Sequence, residues 1–121
     1  MAYDPILADR VRRALVGSGD VIEKRMFGGL CFMLNGHMCC GVEGANLVLR
    51  VGAAHYEEAL ARTHVRPMDF TGRALRGFVY VSPAGLSTAR ALQQWVDLAS
   101  ANVAILPRRI PRAPGARRKR V

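Results

Sequence analysis

The sequence lacks any hydrophobic run long enough to cross a membrane, although half of its 121 residues are hydrophobic. A transmembrane helix needs about 18 or more consecutive apolar residues, and no such run occurs. The first residues also lack the basic segment and the apolar stretch that together mark a secretory signal. We therefore predict a globular domain with no membrane partner and a cytoplasmic location.

Cysteine is scarce, with only Cys31, Cys39 and Cys40 in the chain. An odd number of cysteines is typical of a reducing compartment, because a disulfide framework uses them in pairs. A metal site is conceivable, since His37 and Cys39 share one face of a strand and Cys31 belongs to the neighbouring strand. Adjacent Cys39 and Cys40 are expected to point to opposite faces, however, and no C-x-x-C or H-x-x-x-H spacing occurs. The pattern therefore favours buried packing residues, with no metal and no cofactor.

Motifs for catalysis are also missing. No serine lies in a G-x-S-x-G turn, and no pair of carboxylates has a spacing typical of acid–base catalysis. Gly28-Gly29 follows a predicted strand, but the helix that a phosphate-binding loop requires does not come next. His55 and Glu58 are three residues apart, so they share a helix face, as many solvent-exposed pairs do. We therefore predict that the protein is not an enzyme and has no catalytic residues.

Positive charge is concentrated in the last 15 residues. The chain has a formal net charge of +9, of which residues 107–121 supply +7 and residues 1–106 only +2. The seven cations of this segment are Arg108, Arg109, Arg112, Arg117, Arg118, Lys119 and Arg120. With three prolines among them, they cannot bury enough apolar area to offset the entropy of ordering. We therefore predict a folded domain over residues 1–106 and a disordered basic tail over residues 107–121.

This basic tail suggests a partner, because clustered cations attract polyanions such as nucleic acids. The tail has no aromatic residue, so base stacking is not available and binding would be non-specific and directed at phosphates. A tail that only increases solubility is the alternative.

Hydrophobic periodicity and turn signals predict the order helix, four strands, helix, strand, helix. Asp4-Pro5 begins the first helix, and Asn35-Gly36 is a strong signal for a tight hairpin. Residues 66–72 are interpreted as an irregular connection. The predicted strands cover residues 21–27, 30–34, 38–42, 47–51 and 77–81, and the two later helices cover residues 53–62 and about 86–103.

This order predicts an α+β fold with two layers, in which helices cover one face of a mainly antiparallel five-stranded sheet. Strand 30–34 is apolar on both of its faces, whereas the helices can cover only one. We therefore predict an exposed apolar patch that includes some of Cys31, Met33, Cys39 and Val48. Such a patch is typical of contact with a protein partner or with a second copy of the chain.

The chain resembles a known family in several motifs. Arg25-Met26-Phe27-Gly28-Gly29, followed by an apolar strand and Asn35-Gly36, is similar to the opening of the N-terminal domain of the TfoX (Sxy) competence regulators. The resemblance continues to about residue 106. Its later motifs are Leu47 to Val51, Met68-Asp69-Phe70, Gly77 to Pro83, Leu92 and Trp95 to Ala99.

The resemblance implies a two-layer fold similar to that of secretion-chaperone domains. It also implies a bacterial, non-catalytic regulator that acts with other transcription factors on competence genes. The family supplies no catalytic residues, so Met26, Phe27, Gly28 and Gly29 are interpreted as a structural signature. Two functions remain in view, a regulatory interaction domain and a non-specific nucleic-acid binder that acts through the tail.

Overall fold

The computed structural model describes residues 3–26, 28–70 and 72–106. Its first helix, α1 (Pro5–Ala14), begins where the sequence predicts. The Asp4 carboxylate accepts hydrogen bonds from the backbone N–H groups of Ile6 and Leu7, and Pro5 occupies the first turn, where no N–H is needed. This cap fixes the start of α1 and turns its apolar face toward the sheet.

The described residues form one antiparallel sheet of six strands in the order β1-β2-β3-β4-β6-β5. The predicted hairpin between β2 and β3 is confirmed, because Asn35 and Gly36 both have positive φ angles, 52° and 87°. The strands are β1 (Val21–Met26), β2 (Gly29–Leu34), β3 (His37–Glu43), β4 (Asn46–Arg50), β5 (Val65–Phe70) and β6 (Arg73–Val81).

Two further helices follow the first four strands. A 3₁₀ turn (Ala53–His55) leads into α2 (Tyr56–Leu60), and a second 3₁₀ turn (Pro83–Leu86) precedes α3 (Ala89–Ala104). The last helix therefore begins about three residues later than the sequence predicts. Thr88 sets this start, because its hydroxyl accepts a hydrogen bond from the backbone N–H of Ala91 at 3.0 Å.

The prediction of five strands missed β5, which sequence reasoning treated as an irregular connection. Pro67 lies within β5 and cannot donate a backbone hydrogen bond, so a run that contains it looks unsuited to a sheet. The strand is nevertheless possible because β5 lies at an edge of the sheet and pairs only with β6. The α+β class with two layers is confirmed, and the sheet is one strand wider than predicted.

The main core lies between the sheet and the helices, as the sequence predicts. Phe32, Leu49 and Val79 of the sheet are fully buried there, together with Val11 of α1 and Val96 of α3. The buried residues of all three described helices belong to this one cluster. We call this side of the sheet the covered face.

Two predictions fall outside the described residues. Residues 107–121 are not among them, so the domain boundary at residue 106 and the disordered tail stay predictions. Phe27 of the signature is also outside. Within the part of the chain that is described, no helix combines the length and apolar composition of a membrane span.

Candidate functional site: the open face of the sheet

The side of the sheet opposite the described helices is the candidate functional surface, and we call it the open face. Residues directly opposite one another on neighbouring strands share a face, so the register defines a row across the sheet. Apolar or side-chain-free positions occupy the middle of this row, and a cation lies at each end. In strand order the row is Lys24, Cys31, Gly41, Val48, Tyr80 and Arg66.

Methionine dominates the apolar part of the open face. Met33 lies between Ile22 on β1 and Met38 on β3, and Met26 follows two residues after Lys24 on β1. Met68 packs with Val48 and Tyr80 in a small cluster separate from the main core. All four methionines of the described residues therefore lie on this face. Methionine is flexible and polarizable, and it is favoured on surfaces that adapt to different apolar ligands.

The apolar side chains of the open face are most exposed on the edge strand β1. At the β1 end the side chains of Ile22 and Met26 are 45% and 37% exposed, and Met33 and Met38 are half-buried. Toward β5, in contrast, Met68 is fully buried in the small cluster. The most accessible apolar surface is therefore at the β1 end of the open face.

Two arginines cover the aromatic residues at the β5 end. The guanidinium of Arg50 lies 5.8 Å from the ring centre of Phe78, and that of Arg66 lies 4.8 Å from the ring centre of Tyr80. Both distances are within the range of a cation–π interaction. These side chains shield the cluster from water and also place positive charge on the open face.

A bulge at Gly77 brings Leu75 and Phe78 to the same face, although strict alternation would separate them. Gly77 has a φ angle of 93°, and its carbonyl accepts hydrogen bonds from the backbone N–H groups of both Val51 and Gly52, at 2.8 and 3.1 Å. Both Leu75 and Phe78 then pack on the cluster around Met68.

Tyr80 is anchored on the open face by a carboxylate. Its hydroxyl donates a hydrogen bond to Oε1 of Glu43 at 2.5 Å. Burial raises the pKa of Tyr80 to about 12, and the bond to Glu43 adds to the shift. The phenol therefore stays protonated at neutral pH and acts as a fixed donor that ties β6 to β3.

The three cysteines are buried, as predicted, but their arrangement differs from the predicted one. The register between β2 and β3 shifts between Phe32 and Met33, so Cys39 has no partner residue on β2. This extra residue breaks the alternation, and Cys39 and Cys40 both pack in the main core rather than on opposite faces. Sequence reasoning missed the bulge because it assumed a regular strand.

The chemistry of the thiols is that of packing residues. Burial raises the pKa of Cys31 to about 11, and a hydrogen bond with Cys39, together with burial, raises the pKa of Cys40. Cys31 also contacts Met33, with its Sγ 3.7 Å from the methionine Sδ. Among the described residues, no group of three or more histidine, cysteine, aspartate or glutamate side chains could hold a metal ion.

The predicted patch was expected to include some of four residues, and of these only Met33 is partly exposed on the open face. Cys31, Cys39 and Val48 are all buried, the last with 2% exposure. The exposed apolar residues of β1 were missed, although the alternation of Val21 to Met26 contained the signal. Every second residue there, starting at Ile22, belongs to the open face.

The signature residues shape the hairpin that joins β1 and β2. Gly28 has a φ angle of 73°, which strains any other residue, and it lies in the turn. Gly29 begins β2, where a Cβ atom would overlap the carbonyl oxygen of Val42 on β3. Met26 ends β1 on the open face. Of the three described signature residues, two therefore have a geometric requirement, and Met26 adds to the apolar surface.

The predicted pair on the second helix lies apart from the open face. Nδ1 of His55 and Oε1 of Glu58 are 3.2 Å apart, and both side chains are at least half exposed. They line a surface depression with Arg62, whose guanidinium lies 4.2 Å from the ring centre of Trp95. The helical spacing predicts this proximity, and the arrangement is that of an exposed ion pair.

Fold and surface together define a class of protein, a two-layer α+β domain with helices on one face of its sheet and a methionine-rich surface on the other. A family model for the TfoX N-terminal domain matches residues 13–103, which is more than half of the chain. The chain therefore belongs to the TfoX N-terminal domain family, and the resemblance seen in the sequence is confirmed. No curated protein matches it.

Proposed function

We propose that this protein is a non-catalytic regulatory domain that acts in the bacterial cytoplasm through protein contacts made by its open face. Family membership is compatible with a regulatory, competence-related role. The observation that supports the mode of action is the partly exposed group of Ile22, Met26, Met33 and Met38 on one side of a two-layer domain. Apolar surface of this kind marks interaction sites.

The titratable groups on this surface support a non-catalytic role. Cys31 and Tyr80 are both protonated at neutral pH, because burial raises the pKa of each. Glu43 already accepts the hydrogen bond from Tyr80. A nucleophile or a general base needs the opposite, a group whose charged form is accessible near pH 7. We therefore assign function to the surface itself.

An affinity capture from the native cytosol tests this proposal, with the full-length chain compared with Met38→Glu. Met38 is half-buried on the open face, so the new charge disrupts apolar contacts there. The matched control is Arg13→Glu on α1, whose side chain is 80% exposed. We expect a protein partner that survives nuclease treatment, is retained by the control and is lost with Met38→Glu.

Thermal melts of all three proteins establish that each variant is folded. If the captured proteins are the same for Met38→Glu and the unmodified chain, the open face is not the contact surface and the proposal fails. Light scattering on the purified chain tests the remaining possibility, a homodimer formed by this face. A dimer that Met38→Glu dissociates would make the second copy the partner.

A second candidate function is non-specific nucleic-acid binding through the tail. It is supported by the seven cations in residues 107–121, against a net charge of only +2 in the rest of the chain. Each phosphate contact releases counterions, so affinity for DNA should fall steeply with salt concentration.

The test compares the full chain with a full-length variant in which all seven tail cations are replaced by glutamine. We expect that variant to lose DNA binding while its melting temperature is unchanged. Equal binding by both proteins, or an affinity that does not depend on salt, would exclude the tail as a phosphate-binding segment.

A further inference from the structure

We propose that the open face binds an acidic segment of a partner protein that inserts apolar side chains among the methionines. This inference rests on the proposed function above and specifies the chemistry of the partner. Two properties of the surface lead to it, the sign of its charge and the composition of its centre.

The charge of the open face is positive. Lys24 and Arg66 lie at the two ends of the row across the sheet, and Arg50 lies beside Phe78. The Glu43 carboxylate on this face accepts a hydrogen bond from the Tyr80 hydroxyl. Burial raises the pKa of Tyr80 most, and the Asp69 carboxylate also lies near enough to raise it. An acidic partner would therefore meet three cations and two anions, a net positive charge.

Asp69 reduces this positive charge but does not reverse it. It pairs with Ala74 in the register between β5 and β6, directly after the register shift that follows Pro67.

The centre of the face supplies the apolar contact. Ile22, Met33 and Met38 follow one another across β1, β2 and β3, and none of the three is fully buried. Burial of several such side chains is a larger driving force than exposed ion pairs provide. Apolar anchors should therefore supply affinity, and the cations should select acidic sequences around them.

Charge also distinguishes this occupant from the two alternatives that the chain itself offers. The segment 107–121 contains seven cations and no acid, so it is repelled by Lys24, Arg50 and Arg66. A second copy placed face to face would bring the same three cations against their own counterparts. Like charges across an interface oppose binding, so an acidic partner fits the surface better than either alternative.

The dimensions of the face give the length of the partner segment. Lys24 and Arg66 lie on the two edge strands, five strand spacings apart. At about 4.8 Å for each spacing, this is about 24 Å. A helix of about 16 residues has the same length and can reach both cations.

Three synthetic peptides of 16 residues test the proposal. All have leucine at the same helical positions, i, i+3, i+4 and i+7, and they differ only in having glutamate, glutamine or lysine at the remaining positions. Binding to the full-length chain is measured by fluorescence anisotropy. We expect the glutamate peptide to bind at least about tenfold more tightly than the glutamine peptide and the lysine peptide to bind most weakly.

Ionic strength supplies an independent readout. Raising it from about 0.1 M to about 1 M shortens the screening length from about 10 Å to about 3 Å. The difference between the glutamate and glutamine peptides should then shrink, while the apolar part of the affinity persists.

Variants locate the site. Lys24→Glu reverses the charge at one end of the row and is expected to remove most of the preference for glutamate. Adding Arg66→Glu should remove the rest, with thermal melts to check that loss of its contact with Tyr80 leaves the fold intact. Arg13→Glu is the matched control on α1. All measurements use the full-length chain with glutamine in place of the seven tail cations, so the tail cannot bind the acidic peptide.

The outcomes separate this inference from the function on which it rests. If the glutamate and glutamine peptides bind equally and Met38→Glu weakens both, the acidic partner is excluded while the interaction surface stands. If the glutamate peptide does not bind, or binds equally to Lys24→Glu, the inference is overturned. If binding is also indifferent to Met38→Glu, the open face is not the peptide site, which contradicts the proposed function as well.

Discussion

The two faces of the sheet differ in burial and composition, although neighbouring residues of the same strands form them. On β2, Phe32 is fully buried against the helices, whereas Met33 is half-buried on the open face. The covered face has aliphatic and aromatic side chains that fill one contiguous cluster. The open face has methionines and arginines around a much smaller cluster. Stability therefore depends mainly on the covered face, whose side chains form the larger packed cluster.

The largest expected difference between the faces is the cost of removing a side chain. Leu49→Ala on the covered face should lower the free energy of unfolding by about 3 kcal/mol, because the fully buried side chain leaves a cavity. Met33→Ala should cost about 1 kcal/mol or less, since a half-buried side chain has less surface to lose. Urea denaturation measures both. Equal losses would mean that the open face is a second core rather than a binding surface.

A backbone constraint on the open face should be almost as costly. Gly41 lies at the middle of the row, where a Cβ atom would stand 2.7 Å from the carbonyl oxygen of Leu30. Gly41→Ala should therefore lower the free energy of unfolding by about 2 kcal/mol, as overpacking does. Gly44→Ala is the control, because its φ angle of 59° is strained for alanine but nothing lies near the new atom. We expect Gly44→Ala to lower the free energy of unfolding by about 1 kcal/mol. If Gly44→Ala costs more than Gly41→Ala, the close approach of the strands at Gly41 is contradicted.

Loss of the hydrogen bond between Tyr80 and Glu43 should have a smaller effect. Tyr80→Phe is expected to cost about 1 kcal/mol at neutral pH. The pKa of Tyr80 is raised to about 12 in the folded state, against about 10 when unfolded, so its contribution is complete below pH 10. It is lost as pH rises toward 12.

Ultraviolet titration of the phenolates checks this prediction. Tyr80 should ionise near pH 12, and Tyr80→Phe should remove that step. A variant that keeps the step, or that is as stable as the unmodified chain at neutral pH, would show that the bond does not help to hold the open face together.

The smallest expected effect is on the covered side of the edge strand. Arg12 of α1 donates hydrogen bonds from Nε and Nη2 to the Glu23 carboxylate on β1, at 2.5 and 2.9 Å, and they lower the pKa of Glu23. Both side chains are partly exposed, so Glu23→Gln should cost about 0.5 kcal/mol at pH 7.

The acid dependence gives the sign of this contribution. A lowered pKa means that the stabilisation is complete above the unfolded value of about 4.3 and is lost as pH falls through the folded value. The unmodified chain and Glu23→Gln should therefore converge in acid. The control is Glu58→Gln, in an exposed pair with His55. A difference that persists at low pH would show that Glu23 stabilises by packing rather than by charge.

The sequence by itself determined the elements that depend on local chemistry. Asp4-Pro5 begins a helix because its cap needs only the next three residues, and Asn35-Gly36 closes a hairpin because both accept positive φ angles. The apolar runs predicted a sheet that helices cover on one face. The motif around Met26 indicated the family, which the family model confirms. These are short-range signals, and they were sufficient for the fold class.

The tertiary structure alone decided what depends on position within the sheet. Pro67 is compatible with a strand only because β5 lies at an edge, and Cys39 joins the main core only because a bulge shifts the register. The open face was likewise assembled from residues far apart in the chain, such as Lys24 and Arg66. Edge positions and register are set by long-range pairing, which no local pattern of residues contains.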